Sequence, residues 1–172
     1  MKIIIIGPRS VGKSTVGNVL GREMKIGYFD FDKYVEKELN GIDSYVERFG
    51  VDSYRIEEER ILVDFVSKLP NGFVVSVGGG TVASQLCRVS ERNSLRLKEI
   101  GRIVYLSLSG KEEEIIDLLF GRELLRKGNK TREDIAKLFR LRESAYESIF
   151  DIKIISNKKS AEQVAEEIIS KV

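Results

Sequence analysis

Residues 2–21 read KIIIIGPRSVGKSTVGNVLG, and this stretch decides the fold. Its first part, residues 2–6, is an apolar run of the length expected for a strand buried on both faces of a parallel sheet. A loop with glycine at both ends follows, and a Lys-Ser-Thr step at residues 13–15 opens a segment with apolar residues at helical spacing. The stretch therefore predicts a strand, a tight loop and a helix over residues 13–24.

Residues 7–14, the P-loop, match the phosphate-binding motif G-x-x-x-x-G-K-[ST]. Glycine lets the backbone turn tightly so that successive N–H groups point at one anion, and the following helix presents its positive end to the same anion. We expect Lys13 to reach the β- and γ-phosphates of a nucleotide and the Ser14 hydroxyl to bind Mg²⁺. The predicted nucleotide contacts in this segment are Gly7, Ser10, Val11, Gly12, Lys13, Ser14 and Thr15.

The composition of the chain narrows the possible chemistry. Twenty-nine Lys and Arg against 27 Asp and Glu give a net charge of +2, which argues against a dedicated binder of nucleic acids or membrane surfaces. No histidine is present, so no step can use an imidazole base or ligand, and the single cysteine excludes an intramolecular disulfide. No segment approaches the roughly 18 consecutive apolar residues of a membrane span. We expect a cytoplasmic monomer that binds neither nucleic acid nor membrane.

Short apolar runs alternate with segments of helical periodicity along the chain. The alternation predicts one α/β domain over residues 1–172, with a central five-stranded parallel sheet between two layers of helices, a three-layer α/β/α architecture. The predicted strands cover residues 2–6, 28–32, 73–77, 103–108 and 151–156. The predicted helices cover residues 13–24, 33–68 with breaks near Gly41 and Gly50, 111–120, 135–150 and the segment after Ser160. Residues 121–134 are expected to form a charged loop.

Acidic residues and glycines occur where the predicted strands end. Asp30 and Asp32 end the second strand, and Gly78–Gly80 follow the third. Because ligands bind at the carboxyl ends of the strands in open parallel sheets, we expect these residues to lie beside the P-loop. Three arginines from other segments are placed to join them: Arg55, Arg122 and Arg142.

Each of these features also has a structural interpretation. The two acids could be solvated side chains at a strand end, and Arg55 and Arg142 could pair with neighbouring glutamates on the surface. The glycine triplet could be a simple turn from strand to helix, and the basic residues of the charged loop could only face solvent. The occurrence of all these features in this order after a P-loop favours the functional interpretation.

A P-loop alone does not define a reaction, because GTPase switches, motor ATPases and small-molecule kinases all contain one. Asn157–Ser160 is similar to the guanine-binding sequence Asn-Lys-x-Asp, but Ser160 stands where the acid is needed. No Asp-x-x-Gly follows a strand to sense a γ-phosphate, and the chain is compact for a motor ATPase. These observations favour a small-molecule kinase.

The order of the motifs closely resembles that of the shikimate kinase family over the whole chain. The matching motifs are the P-loop at residues 7–14, Asp30-Phe31-Asp32, Tyr54-Arg55-x-x-Glu58, Gly78–Gly80, Arg122, and residues 138–146 with Arg142 and Tyr146. The resemblance implies a P-loop kinase that transfers the γ-phosphate of ATP, with Mg²⁺, to the 3-hydroxyl of shikimate. The product would be shikimate 3-phosphate, an intermediate of chorismate and aromatic amino-acid biosynthesis.

The resemblance also implies how the acceptor binds. Asp32 would hold the reacting hydroxyl, Arg55 and Arg142 would bind the carboxylate of shikimate, and the backbone of Gly78–Gly80 would touch its ring hydroxyls. A guanidinium fork suits a carboxylate, because two parallel hydrogen bonds can form. Glu58 would orient Arg55. The helical segment at about residues 31–61 would bind shikimate.

Further roles follow from the resemblance for nucleotide, metal and catalysis. A mobile lid at about residues 121–132 would close Arg122 over the transferring phosphoryl group and the nucleotide. Ile115 stands where some members of the family have an adenine-contacting arginine, so Lys158 or Lys159, after the last strand, would contribute to nucleotide binding instead. The predicted metal contacts are Ser14 and, through water, Asp30. The predicted catalytic residues are Lys13, Asp32 and Arg122. Phosphoryl transfer has a loose transition state that depends on positioning and charge neutralisation, so the absence of histidine is no obstacle.

Three residues depart from the family pattern near the phosphates. Arg9 and Ser10 replace the small residue and the glycine usual in this P-loop, and Glu123 follows Arg122 where proline is usual. A negative charge beside a phosphate-binding arginine is unfavourable. We therefore expect Glu123 to point away from the phosphates or to pair with a nearby cation, Arg126 or Lys127.

Two other functions remain open from the sequence. The first is another small-molecule kinase of the same fold, such as a gluconate or nucleoside-monophosphate kinase, although those lack this combination of motifs. The second is a nucleotide-dependent binding or regulatory module, which would hydrolyse ATP slowly and independently of shikimate.

Overall fold

The computed structural model describes residues 1–126 and 128–172. Within these residues five parallel strands form one sheet in the order β2-β3-β1-β4-β5. The strands are β1 (Lys2–Ile6), β2 (Gly27–Asp30), β3 (Phe73–Ser76), β4 (Arg102–Ser107) and β5 (Ile152–Ile155). The helices are α1 (Lys13–Glu23), α2 (Phe31–Glu38), α3 (Ile42–Ser67), α4 (Gly79–Val82), α5 (Cys87–Ile100), α6 (Glu112–Leu125), α7 (Arg132–Ile149) and α8 (Ala161–Ile169).

The isoleucine run of β1 lies at the centre of the sheet, and Ile3–Ile6 are fully buried. Successive side chains of a strand point to opposite faces. Ile3 and Ile5 therefore pack in a core with residues of α1, α6, α7 and α8. Ile4 and Ile6 pack in a second core with residues of α2, α3, α5 and α7. Helices thus cover both faces of the sheet, and the predicted three-layer α/β/α fold is confirmed.

The parallel strands bring the candidate site residues to one edge of the sheet. In the strand register, Ser76 at the end of β3 is paired with Ile5 of β1 on one side and with Asp30 of β2 on the other. The chain continues from β1 into the P-loop and from β3 into Gly78–Gly80. The P-loop, Asp30 and the glycine triplet are therefore neighbours.

The predicted second strand is too long. It was expected to reach Asp32, but β2 ends at Asp30 and α2 begins at Phe31. The reason is a helix cap, because the Asp30 carboxylate accepts a hydrogen bond from the backbone N–H of Lys33. Asp32 consequently lies in the first turn of a helix and not in a strand.

The predicted charged loop at residues 121–134 is also wrong at both ends. Helix α6 continues to Leu125, so Arg122 and Glu123 are helical. Helix α7 begins at Arg132, where the Thr131 hydroxyl accepts from the N–H of Asp134 and the Asp134 carboxylate accepts from the N–H of Thr131. Residue 127 of the predicted lid lies outside the described residues.

Helix α5 was not predicted. Its buried positions include Ser90, Asn93 and Ser94 besides Val89 and Leu97. Because polar side chains occupy part of its inner face, the apolar periodicity that signals a helix is weak.

The predicted breaks in the helical region are confirmed, since α3 starts after Gly41 and is interrupted at Gly50, where φ is 83°. No helix among the described residues is both long and apolar enough to cross a membrane.

Candidate active site

The P-loop has a tightly curled backbone. Gly7 and Gly12 have φ values of 144° and 110°, which other L-residues rarely adopt, and a Cβ at Gly7 would approach the carbonyl oxygen of Leu106 to 2.5 Å. The Lys13 amine donates to the carbonyl oxygens of Gly7 (2.9 Å) and Pro8 (3.0 Å), so it lies within the loop. Burial lowers the pKa of Lys13 to about 8. A bound phosphate would favour its charged form.

The two predicted metal contacts lie against each other. The Ser14 hydroxyl, at the start of α1, donates to Asp30 Oδ2 at 2.8 Å, and the Tyr28 hydroxyl donates to the same oxygen at 3.2 Å. Tyr28 is held in turn by Ser76, with 2.7 Å between their hydroxyl oxygens. In kinase sites Mg²⁺ is bound by one or two carboxylates together with waters and substrate phosphates. The hydroxyl of Ser14 and the carboxylate of Asp30 fit that requirement.

Asp32 faces the first glycine of the triplet. A Cβ at Gly78 would come within 3.0 Å of Asp32 Cγ, so a residue with a side chain would displace the carboxylate. Asp32 is exposed to solvent, but the protein around it displaces part of its hydration shell. This desolvation raises the pKa of Asp32, while the nearby Lys13 opposes the shift. A raised pKa makes Asp32 a better proton acceptor than an ordinary carboxylate.

The other two glycines face the two predicted carboxylate-binding arginines. A Cβ at Gly79 would lie 2.9 Å from Arg142 Nη1, and a Cβ at Gly80 would lie 2.6 Å from Arg55 Nη1. Since Gly79 and Gly80 form the first turn of α4, this turn can lie directly against both guanidinium groups only without side chains. Segments far apart in sequence thus converge beside the P-loop: the start of α2, α3, α4 and α7.

Arg55 is anchored from behind by a buried carboxylate. Its Nη1 donates to Glu58 Oε2 at 2.6 Å, and its guanidinium lies over the Tyr54 ring with 4.7 Å from Cζ to the ring centroid. Glu58 is 2% exposed and accepts two further hydrogen bonds, from the hydroxyls of Tyr54 (3.0 Å) and Thr81 (3.1 Å). The structural interpretation is therefore partly right, because Arg55 does pair with a glutamate. That pair is buried, and it fixes the guanidinium beside Gly80.

Arg142 is placed differently. Within the described part of the chain, no carboxylate lies within ion-pair distance of this half-buried guanidinium, and its Nε donates to the carbonyl oxygen of Ala83 at 3.2 Å. Burial lowers the pKa of Arg142, and the positive charge of Arg55 acts in the same direction. Next to it, the buried Tyr146 hydroxyl has no hydrogen-bond partner among the described residues. Two cations that repel each other form a site suited to an anion.

Arg122 and Glu123 connect α6 to the P-loop. Arg122 Nη1 donates to the carbonyl oxygen of Val11 at 3.1 Å. The fully buried Glu123 carboxylate accepts from Arg9 Nε (2.9 Å to each oxygen) and from the Ser10 hydroxyl (2.8 Å). The ion pair of Glu123 is therefore with Arg9, and the predicted pairing with Arg126 is wrong. The alternative partner, Lys127, lies outside the described residues.

Two predicted nucleotide contacts lie at the margin of this arrangement. Thr15 is exposed in the first turn of α1. Lys159 lies between β5 and α8, and its amine donates to Glu167 of α8 at 2.6 Å. The described contacts of Lys159 therefore join it to α8 and not to the P-loop.

Comparison with known proteins shows the family to which this chain belongs. A sequence profile of shikimate kinase matches residues 9–172. The chain belongs to the shikimate kinase family. The family member from Baumannia cicadellinicola subsp. Homalodisca coagulata is 34% identical, over 98% of this chain and 94% of that one.

Two solved shikimate kinase structures share the fold. The enzyme from Aquifex aeolicus superimposes with a TM-score of 0.76 at 28% identity, over 99% of this chain and 95% of that one. The enzyme from Acinetobacter baumannii in complex with shikimate gives a TM-score of 0.82 at 23% identity, over 99% of this chain and 91% of that one, which is a likeness of fold. The predicted family is confirmed, and the P-loop kinase fold with it.

Sequence reasoning missed some supporting residues of this shikimate kinase family site. Thr81 and Asn93 support the site from behind: the Thr81 hydroxyl donates to Glu58, and the buried Asn93 amide donates to the Thr81 carbonyl oxygen at 3.0 Å. Thr81 could have been found from the sequence, because it directly follows the glycine triplet. No sequence pattern points to Asn93, because it lies on helix α5, which was not predicted.

Proposed function

We propose that this protein uses MgATP to phosphorylate the 3-hydroxyl of shikimate, giving shikimate 3-phosphate. The observation that carries the proposal is the meeting of Arg55 and Arg142 across the glycine triplet, beside Asp32 and the P-loop. Two partly buried cations suit the carboxylate of an acceptor, and Asp32 between them and the P-loop suits its hydroxyl. Membership of the shikimate kinase family supports the same acceptor.

In the proposed reaction the P-loop N–H groups and Lys13 bind the phosphates of ATP. Ser14 and, through water, Asp30 would hold Mg²⁺, which would neutralise negative charge on the phosphates when bound. Asp32 orients the acceptor hydroxyl and accepts its proton late, when the bond to phosphorus has largely formed. Arg122 stabilises the charge of the transferring group.

We also propose that Arg122 reaches that group by a closing movement of the lid. In the described structure its guanidinium contacts the Val11 carbonyl oxygen, at the P-loop. A short displacement of the end of α6 would exchange this contact for a phosphate oxygen.

The protein is proposed to act as a monomer, because one chain supplies every side chain of the candidate site.

Acceptor specificity tests the function. Purified protein with ATP and Mg²⁺ is offered shikimate, quinate, gluconate and nucleoside monophosphates, ADP release is measured, and phosphorus NMR locates the new phosphate. We expect rapid ADP release with shikimate and phosphate on the 3-hydroxyl. Equal rates with gluconate would indicate a different kinase, and slow ADP release that ignores every acceptor would indicate a regulatory ATPase.

The methyl ester of shikimate tests the carboxylate site. An acceptor without the charge leaves the half-buried Arg142 without a carboxylate partner, whereas Arg55 keeps its pair with Glu58. Breaking a buried charge pair costs about 3–5 kcal/mol, so kcat/KM should fall by roughly 10²-fold. Arg142→Ala should weaken shikimate binding and narrow the preference for the acid over the ester, while ATP binding stays close to that of the parent. Equal use of acid and ester by the parent protein would contradict the proposed role of the arginines.

A further inference from the structure

A buried carboxylate ties the end of α6 to the P-loop. Glu123 is 0% exposed, and its oxygens accept hydrogen bonds from Arg9 Nε at 2.9 Å and from the Ser10 hydroxyl at 2.8 Å, while Arg9 Nη2 lies 2.8 Å from Oε1. Arg9 and Ser10 lie 114 and 113 residues before Glu123. Of the three residues that depart from the family pattern near the phosphates, Arg9 and Ser10 are thus both bonded to the third, Glu123.

Ser10 has a backbone conformation that serine rarely adopts. Its φ is 64°, in the left-handed region, where Cβ crowds the carbonyl oxygen. A glycine at this position would have no such cost. The side chain of Ser10 is nearly buried, and its hydroxyl bond to Glu123 holds the residue in place. Alternating right- and left-handed residues in a loop point successive N–H groups at one anion, so a left-handed Ser10 suits a phosphate-binding loop.

We propose that Glu123 is a positioning residue for nucleotide binding, which holds Ser10 left-handed through the Ser10 hydroxyl and Arg9 and so preforms the P-loop. The same turn of α6 places Arg122 against the Val11 carbonyl oxygen. Glu123 itself does not touch the nucleotide. The inference rests on the nucleotide-binding part of the proposed function and is independent of the acceptor.

The charge of Glu123 is maintained by its partners. Its hydrogen bonds, that from Arg9 foremost, hold the pKa of Glu123 below its ordinary value although burial opposes this. The carboxylate is therefore ionised at neutral pH, and a change to glutamine removes the charge while preserving the shape.

Two substitutions of Ser10 separate the hydrogen bond from the backbone cost. Ser10→Ala loses the bond to Glu123 and keeps the cost of a left-handed L-residue, whereas Ser10→Gly loses both. The dissociation constant of MgATP is measured by titration calorimetry without any acceptor. We expect Ser10→Ala to bind MgATP about fivefold or more weakly than Ser10→Gly. Equal affinities of the two variants would overturn the proposal.

Substitution of Glu123 tests the other partner. Glu123→Gln should weaken MgATP binding about tenfold, as expected for the loss of a hydrogen bond to a charged group. Adding Ser10→Gly to Glu123→Gln should recover most of that loss, because the loop no longer needs support. A merely structural glutamate would show no such rescue. Parent-like binding by Glu123→Gln, or failure of the rescue, would overturn the proposal.

The matched control is Glu112→Gln. Glu112 lies on the same helix and pairs with Arg140, both partly exposed, at 2.8 Å. Since exposed pairs contribute little, MgATP binding should stay within about twofold of the parent. Melting temperatures report whether each variant folds. If Glu123→Gln does not fold, the comparison of Ser10→Ala with the parent decides: because this variant loses only the bond to Glu123, MgATP binding equal to that of the parent would overturn the proposal. A parent protein that binds MgATP as described but ignores shikimate would refute the proposed acceptor and leave this inference standing.

Discussion

Replacing Gly80 by alanine adds one methyl group against Arg55. The new Cβ would lie 2.6 Å from Arg55 Nη1 and closer still to Nη2 and Cζ, whereas carbon and nitrogen atoms in contact are about 3.5 Å apart. The guanidinium, including Nη1, therefore has to move by at least about 1 Å. The same Nη1 donates to Glu58 at 2.6 Å, so a move of this size breaks that bond or pulls Glu58 away from Tyr54 and Thr81.

The expected loss of activity is large and the expected change in stability is small. A misplacement of about 1 Å in a binding group costs about 10²-fold, so kcat/KM for shikimate should fall by about this factor. Gly80 does not have a positive φ, and alanine in a helix is favoured over glycine by about 1 kcal/mol. That gain offsets part of the roughly 1.5–3 kcal/mol carried by the charged hydrogen bond.

The assay compares steady-state kinetics, calorimetric affinities for MgATP and for shikimate, and thermal unfolding. Gly80→Ala should lose affinity for shikimate while MgATP binding is retained, since Arg55 is not placed on the nucleotide. Gly121→Ala is the stability control: its Cβ would meet no atom within 4 Å, so it reports helix propensity without a clash. If Gly80→Ala phosphorylates shikimate as the parent does, the close approach of Arg55 to α4 has no role in binding.

Three further substitutions test the reacting groups. Lys13→Ala should lower kcat by about 10²-fold or more with the fold intact, because a charge aimed at the phosphates is lost; residual activity above a tenth of the parent kcat would exclude that role. Asp32→Asn should lower kcat by about 10²-fold. The reaction needs the ionised carboxylate of Asp32, and the pKa of this group is raised. The kcat of the parent should therefore fall with decreasing pH at a pH above the ordinary pKa of about 4. The Asp32→Asn variant should not show this decrease. Arg122→Ala should depress kcat by about 10³-fold with little change in the shikimate KM, and the reverse pattern would assign Arg122 to ground-state binding.

The first strand and the P-loop could be predicted because their signals are local. Four consecutive isoleucines require burial on both faces of a sheet, and Ile3–Ile6 are fully buried. Gly7 and Gly12 of the P-loop have positive φ angles, which residues with a side chain rarely adopt, so the motif requires glycine at both positions. The clustering of Asp30 and Gly78–Gly80 beside this loop followed from one rule, that parallel strands end at the same edge.

One error is local and two depend on contacts across the fold. The predicted second strand is too long because Asp30 caps a helix, accepting a hydrogen bond from the backbone N–H of Lys33 three residues further on. The predicted charged loop begins too early in the chain, because the charged Glu123 was interpreted as a surface residue. Glu123 is fully buried, and helix α6 continues past it. Helix α5 was missed because its inner face carries residues such as Asn93, whose burial depends on the Thr81 carbonyl oxygen that it contacts.

By itself the sequence determined the fold class, the P-loop and the set of residue types at the carboxyl edge of the sheet, because these depend on short-range patterns. The pairing of Arg55 with Glu58, three residues further along the same helix, was also expected from the sequence. Tertiary structure alone decided that this pair is buried, left Arg142 without a carboxylate among the described residues, and joined Glu123 to Arg9. The physical reason is that a charge in water gains little from any one partner, whereas a buried charge must be compensated by whatever group the packing brings within about 3 Å.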